Sequence, residues 1–223
     1  MKQFLILLLI IFTSCDSKVK KETIIIEENS RTDYLPYYND ESFTPNWLTP
    51  NSDAERDFHK IPEFSLINQL GDTITQSTFK GKIYVTDFFF ATCPGICPKM
   101  TGNMAKIQEA FKDDDEVLLL SHSVTPTIDT VAVLKKYATD YNVKDNKWHL
   151  VTGDKNEIYN LGREQYFVEN DLGESKDIND FLHTENFLLI DKQKHIRGIY
   201  NGLNRASIAQ LITDIKTLKH EGK

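Results

Sequence analysis

Three features of the 223-residue chain predict an α/β domain, a central sheet with helices on both faces. The run Lys82-Ile83-Tyr84-Val85-Thr86-Asp87-Phe88-Phe89-Phe90 is almost continuously apolar, as a strand covered on both faces should be. Beyond it, helical spacing alternates with short β-rich runs, the rhythm of strand–helix–strand units. Two cysteines, Cys93 and Cys97, follow that strand directly in Ala-Thr-Cys-Pro-Gly-Ile-Cys-Pro.

Taken in order, the first element is not part of the domain. Residues 1–14 carry one positive charge, Lys2, then about ten apolar residues and the small pair Thr13-Ser14, the pattern of a secretory signal. The apolar run is too short to cross a bilayer, which needs about 20 residues. Phe12-Thr13-Ser14-Cys15 resembles the bacterial lipoprotein cleavage box, with Phe12 where Leu is usual. Cys15 is therefore the expected lipidated N-terminus, and the protein is expected outside the cytoplasm, anchored to a membrane of a bacterial cell envelope. Each acyl CH₂ contributes about 0.8 kcal/mol, so several chains anchor firmly where one does not. Residues 15–52 read as a tether, polar at first and richer in aromatic residues later. Tyr34, Tyr37, Tyr38, Phe43 and Trp47 suggest that its second half packs on the domain, residues 53–223.

Glu63–Asn68 and Thr73–Thr75 read as a hairpin across Gly71. After the 82–90 strand, Ile96, Met100, Met104, Ile107 and Phe111 mark one face of a helix starting at Pro94. Glu116–Ser121 is the next strand, Asp129–Tyr141 a helix, Trp148–Val151 a strand and Asn156–Tyr166 a helix. Asn186–Ile190 and His195–Tyr200 form a closing hairpin around Asp191–Lys194. The last helix spans about Arg205–Leu218, with Asn204 as its N-cap. With a thiol pair past the first core strand, this layout is thioredoxin-like. The cysteines fall beyond the C-terminal strand ends, where open α/β sheets place reactive sites. Asp87 is the one charge inside the core strand, so it needs a partner or a raised pKa.

About 170 residues suffice for a core without a disulfide. The loop between Cys93 and Cys97 is too short for its closure to add much stability, so the pair is functional. The net charge of −7, which becomes −8 when Lys2 leaves with the leader, comes with no basic run in the domain and excludes nucleic acid as a partner. A cysteine at a helix N-terminus favours thiolate, and Pro94 suits a first helical turn because its missing N–H is not needed there. Three residues separate the thiols, a spacing that permits a disulfide and also lets both sulfurs meet one ion. Two thiolates suit Cu(I), and an added imidazole suits Cu(II). Zinc fits less well, because a structural zinc site wants four protein ligands.

Of the six histidines, His220 lies in the tail, His59 precedes the domain, His195 sits in a hairpin and His149 in a short strand. His122, ending a strand, and His183, just ahead of one, both remain candidates for a third ligand. Without a metal, Cys93 and Cys97 form the redox pair of a thiol-disulfide oxidoreductase. A peroxidase using Cys93 is a weaker reading, with Lys99 the nearest basic residue.

Cys93-Pro94-Gly95-Ile96-Cys97-Pro98, Ser123-Val124-Thr125-Pro126 with Asp129-Thr130, Trp148–Gly153, and His183-Thr184 ahead of Phe187–Asp191 together resemble the Sco/SenC family. These are copper-binding, thioredoxin-like proteins that help assemble cytochrome c oxidase. The resemblance runs from about Ile61 to the last helix. It implies copper ligands at Cys93, Cys97 and His183, a choice of histidine that spacing does not make. It implies a copper chaperone, or a thiol reductase, for the dinuclear copper centre, with a copper-accepting oxidase subunit or other copper protein as partner. Thr125 stands where the family often has Asp, and the tether differs from the membrane-spanning anchor of many relatives.

Overall fold

The computed structural model describes residues 32–169 and 181–221; the leader, Cys15 and the first part of the tether lie outside the described residues. At its centre, β3 (Ile83–Phe89) pairs in parallel with β4 (Val117–Ser123), from Ile83 opposite Val117 to Phe89 opposite Ser123. Strand β5 (Trp148–Thr152) extends the parallel part beside β4. On the other side β6 (Asn186–Ile190) runs antiparallel to β3 and forms a hairpin with β7 (Ile196–Asn201). The hairpin of β1 (Ser65–Asn68) and β2 (Thr73–Thr75) completes a seven-stranded sheet of order β2-β1-β5-β4-β3-β6-β7. Helices cover both faces of this thioredoxin-like sheet, after a single short turn of helix, α1 (Asp53–Arg56).

Every residue of β3 and β4 is buried, so each strand feeds two cores in alternation. Val85 and Phe89 point to the face covered by α2 (Cys97–Ala110), α3 (Val131–Asp140) and α5 (Arg205–His220). Tyr84 and Phe88 point to the opposite face, covered by α4 (Lys155–Asn160) and the segment around Tyr166. Helix α4 continues into one wider turn, Leu161–Gln165. Asn204 caps α5, its side-chain oxygen accepting from the Ala206 and Ser207 amides, as the sequence predicts.

Two boundaries differ from expectation. Helix α2 begins at Cys97 and not at Pro94. Residues 93–96 turn instead: the Cys93 amide donates to the Phe90 carbonyl, and Ile96 supplies the first helical acceptor, for Lys99 and Met100. Pro98 occupies the first turn, the position anticipated for Pro94. Strand β4 runs on to Ser123, so His122 lies within the sheet and not at its end.

Of the aromatic residues expected to pack on the domain, Tyr37 is buried and Tyr38 and Phe43 are half-buried, whereas Tyr34 and Trp47 stay exposed, edge-on to each other (5.8 Å, 80°). Tyr37 and Asn46 exchange both backbone hydrogen bonds, and the Tyr38 amide donates to the Ile196 carbonyl at the sheet edge. Arg197 on β7 is the clamp. Its guanidinium donates to the carbonyls of Leu35 (2.6 Å) and Pro36 (3.1 Å), to Asp191 (3.1 Å) and to Glu221 (2.6 Å), and lies 3.8 Å above the Tyr37 ring. Removing one member of such a buried cluster leaves uncompensated charges, at a cost of about 3–5 kcal/mol. Among the described residues no helix is long and apolar enough to cross a membrane.

Candidate functional site

The chain leaves β3 at Phe89 and reaches α2 at Cys97, so the intervening loop sits at the C-terminal end of the parallel strands. Both cysteines are free thiols there, Cys93 half-buried and Cys97 only 4% exposed. Their environments push them apart. Partial burial works to raise the Cys93 thiol, but the backbone N–H groups of Cys97, Gly95 and Ile96 and the Cys97 thiol outweigh it, so Cys93 falls below its ordinary value. The Gly95 amide lies 3.4 Å from the sulfur. These are the unpaired amides that precede and open a helix, and they favour a negative sulfur. Burial pushes the Cys97 thiol up to about 12; the Phe90 backbone opposes this, while Cys93 and the Asp87 charge add to it. The result is one accessible, acidic thiol above one sheltered, reluctant thiol.

Asp87 lies on the Cys97 side of the sheet, 1% exposed. Ser121 on β4 donates to it and itself accepts from the Trp148 indole at 2.8 Å. Burial raises the Asp87 carboxyl to about 7 in spite of that hydrogen bond. The sequence singled out Asp87 as an anomaly; its partner Ser121 looked like an ordinary strand end.

His122 and His183 separate clearly. His122 belongs to the opposite face: it stacks on Phe88 (4.6 Å, 10°) and its Nδ1 lies 3.1 Å from Thr86 Oγ1. Burial pulls it down to about 3, so it is a neutral core side chain turned away from the thiols. His183 is exposed, on the segment entering β6. Antiparallel pairing of β6 with β3 brings that segment to the end of β3 from which the cysteine loop leaves. Phe181 packs edge-on against Phe90 (5.3 Å, 89°), and the His183 amide donates to Glu169 at 3.1 Å. His183, Glu169, Tyr38, Phe43, Asn186 and Asn201 line an open groove of about 660 Å³. The structure thus joins Cys93 to Cys97 and leaves His183 apart. Among the described residues, no three His, Cys, Asp or Glu side chains converge as a metal-holding group.

The other histidines have structural surroundings. His59 contacts the Gln165 carbonyl (2.8 Å), His195 sits against Asp191 (3.3 Å), and His149 packs against Phe79 beside Asn68. His220 ends α5.

A family model described as SCO1/SenC matches residues 52–220. The chain belongs to the SCO1/SenC family. Its SCO1/SenC domain is similar to a solved SCO1/SenC family lipoprotein from Bacillus anthracis, with 28% identity, a TM-score of 0.64, and 72% of this chain and 95% of that one covered. It is similar to BsSco, described with a disulfide switch and as a member of the Sco family of cytochrome c oxidase assembly proteins. There the identity is 28%, the TM-score 0.62, and the shares covered are 73% and 95%. A third solved relative is Bradyrhizobium japonicum ScoI with copper bound, at 28% identity and a TM-score of 0.56, covering 70% of this chain and 98% of that one.

Asp87 gives this SCO1/SenC domain a readable pH signature. A carboxyl raised from 3.8 to about 7 on folding contributes stability that is complete below the lower value and lost as pH rises through the higher. His122 acts in the opposite sense: held down to about 3 against 6.5, its contribution is present above 6.5 and lost as pH falls toward 3. Because the windows overlap, the quantity to read is the stability difference between Asp87→Asn and wild type in urea. It should shift in favour of the variant as pH rises from about 4 to about 8. A difference that stays constant with pH would mean that Asp87 ionises as an ordinary carboxyl.

Proposed function

We propose that this protein is a copper-binding metallochaperone for assembly of the dinuclear copper centre of cytochrome c oxidase. In this reading Cys93, Cys97 and His183 hold the metal. The observation that carries it is the thiol pair at the head of α2 in an SCO1/SenC domain, with one sulfur acidified and accessible. Two such sulfurs are soft donors that fit Cu(I), and the imidazole of His183 is the addition that suits Cu(II). Support for His183 over His122 is its exposure and its arrival at the end of β3, against the burial of His122 on the far face. Copper is cargo, passed by ligand exchange to an oxidase subunit or another copper protein. The copper-bound ScoI and the oxidase-assembly description of BsSco support the same reading.

A second reading is favoured by the asymmetry of the thiols. As a thiol-disulfide oxidoreductase, Cys93 thiolate attacks one sulfur of a partner's disulfide and expels the other as thiolate. Cys97, losing its proton, then displaces the partner from Cys93. The protein ends with a Cys93–Cys97 disulfide and the partner with two thiols: two electrons pass to the partner, Cys97 gives up one proton, and solvent returns the proton Cys93 lost on ionising. We further propose that Cys15 carries lipid and holds the domain outside the cytoplasm at a bacterial membrane, as the lipoprotein description of the Bacillus anthracis relative supports.

Reduced protein, residues 16–223, should bind about one Cu(II) with a thiolate-to-copper charge-transfer band. Cys93→Ser, Cys97→Ser and His183→Ala should each abolish that band; wild-type Cu(II) binding by His183→Ala would remove His183 from the ligand set. The reductase reading predicts that Cys97→Ser accumulates a mixed disulfide through Cys93, visible on non-reducing gels. Its absence, with Cys93 shown to be reactive, would count against that reading. Cells fed a labelled fatty acid should label the wild-type protein and not Cys15→Ser; equal labelling of both would exclude Cys15 as the lipid site.

A further inference from the structure

Asp129 is 0% exposed, in the turn between β4 and α3, and no lysine or arginine pairs with it among the described residues. One of its oxygens, Oδ2, takes three hydrogen bonds: from the Ala91 amide (3.0 Å), the Ser123 hydroxyl (2.6 Å) and the Thr125 hydroxyl (3.0 Å). The other, Oδ1, is buried with no partner. Burying a carboxylate on such terms is costly, so the role of its bonded oxygen calls for an explanation.

The β-ladder supplies that explanation. The Val124 amide donates to the Phe89 carbonyl (2.8 Å), one rung past the paired strands. In a parallel ladder the next amide of β3's continuation, that of Ala91, would turn to the Val124 carbonyl. That carbonyl accepts from the Tyr159 hydroxyl (3.1 Å). The following rung would need an amide from residue 126, which is proline and has none. The sheet therefore stops, and the Ala91 amide passes to Asp129. Two residues later comes Cys93, with its amide tied back to Phe90.

We infer that Asp129 is a positioning residue for the thiol pair: its carboxylate takes Ala91 off the sheet and fixes where the cysteine loop begins. It touches neither sulfur. It acts through the Ala91 amide, holding the loop so that the amides of Gly95, Ile96 and Cys97 face Cys93. Ser123 and Thr125 donate to the same oxygen that Ala91 uses and steady it. Thr125 donates to the carboxylate and adds no second charge.

This inference rests on the reading of Cys93 as the working thiolate. The test uses no copper and no partner disulfide, so its failure is separate from a failure of copper binding. In the reduced protein, residues 16–223, the rate of Cys93 alkylation by iodoacetamide at neutral pH is followed by mass spectrometry. Asp129→Ala should slow it at least five-fold. Asp129→Asn, which keeps an acceptor for Ala91, should bring it back to less than five-fold below wild type. Ser123→Ala with Thr125→Val, which removes the two hydroxyl donors and spares the Ala91 bond, should also stay within that limit although it lowers stability. An Asp129→Ala rate less than five-fold below wild type overturns the inference. So does a five-fold loss in the Asn variant or in the double variant, because the effect would then follow charge or stability. If Asp129→Ala does not fold, hydrogen exchange of the Ala91 amide in the wild type decides. Exchange at least a hundred-fold slower than in a free peptide upholds the bond to Asp129, and faster exchange overturns it.

Discussion

Between Ile83 and Phe89 seven consecutive residues are shielded from water, and β geometry sends them alternately to two different cores. Its partner β4 is under the same constraint along its whole length. Two adjacent strands with no solvent face leave little freedom in register, because a slip of one residue would exchange the occupants of both cores at once. That rigidity gives the cysteine loop a fixed point of departure. Antiparallel pairing of β6 against the other side of β3 then determines which later segment arrives at the same end of the sheet.

Alternation also sorts the buried polar groups. Asp87 and Ser121 fall on the side of Cys97, whereas Thr86 and His122 fall on the side of Phe88 and Tyr166. Neighbours in sequence thus see different dielectric surroundings and different partners. Cys93 and Cys97 show the same sorting by depth: four residues apart, one meets helix-opening amides near solvent, and the other lies against the core. No unusual residue type is needed to make the two sulfurs unlike; position alone does it.

The sheet was legible in the sequence because strands covered on both faces, the hairpin at Asp191–Lys194 and the Asn204 cap all leave local marks. The thiol pair was legible for the same reason. Other features depended on contacts that spacing cannot record. Pro94 and Pro98 suit a first helical turn equally well by composition, and only the hydrogen bonds to Ile96 choose between them. His122 reads as a strand end because serines flank it, yet those serines make buried bonds to Asp87 and Asp129. His183 depends on a pairing nearly a hundred residues away in sequence, and the sequence could favour it only through family resemblance. Arg197 leaves no local mark, yet it is 3% exposed and bound to residues 35 and 36, more than 150 positions earlier.

That arginine has a mechanical consequence. Through Arg197, the carbonyls of Leu35 and Pro36 are bolted to Glu221, the residue just beyond α5, and to Asp191 at the turn of the β6–β7 hairpin. Tension applied to the chain ahead of residue 35 therefore runs into the edge strand β7 and into the end of α5. Strand β6 stands between that edge and β3. The rungs beside Arg197 lead through Leu189 and Ile190 to Val85 and Tyr84, so such a load enters the sheet at the end of β3 away from the cysteine loop.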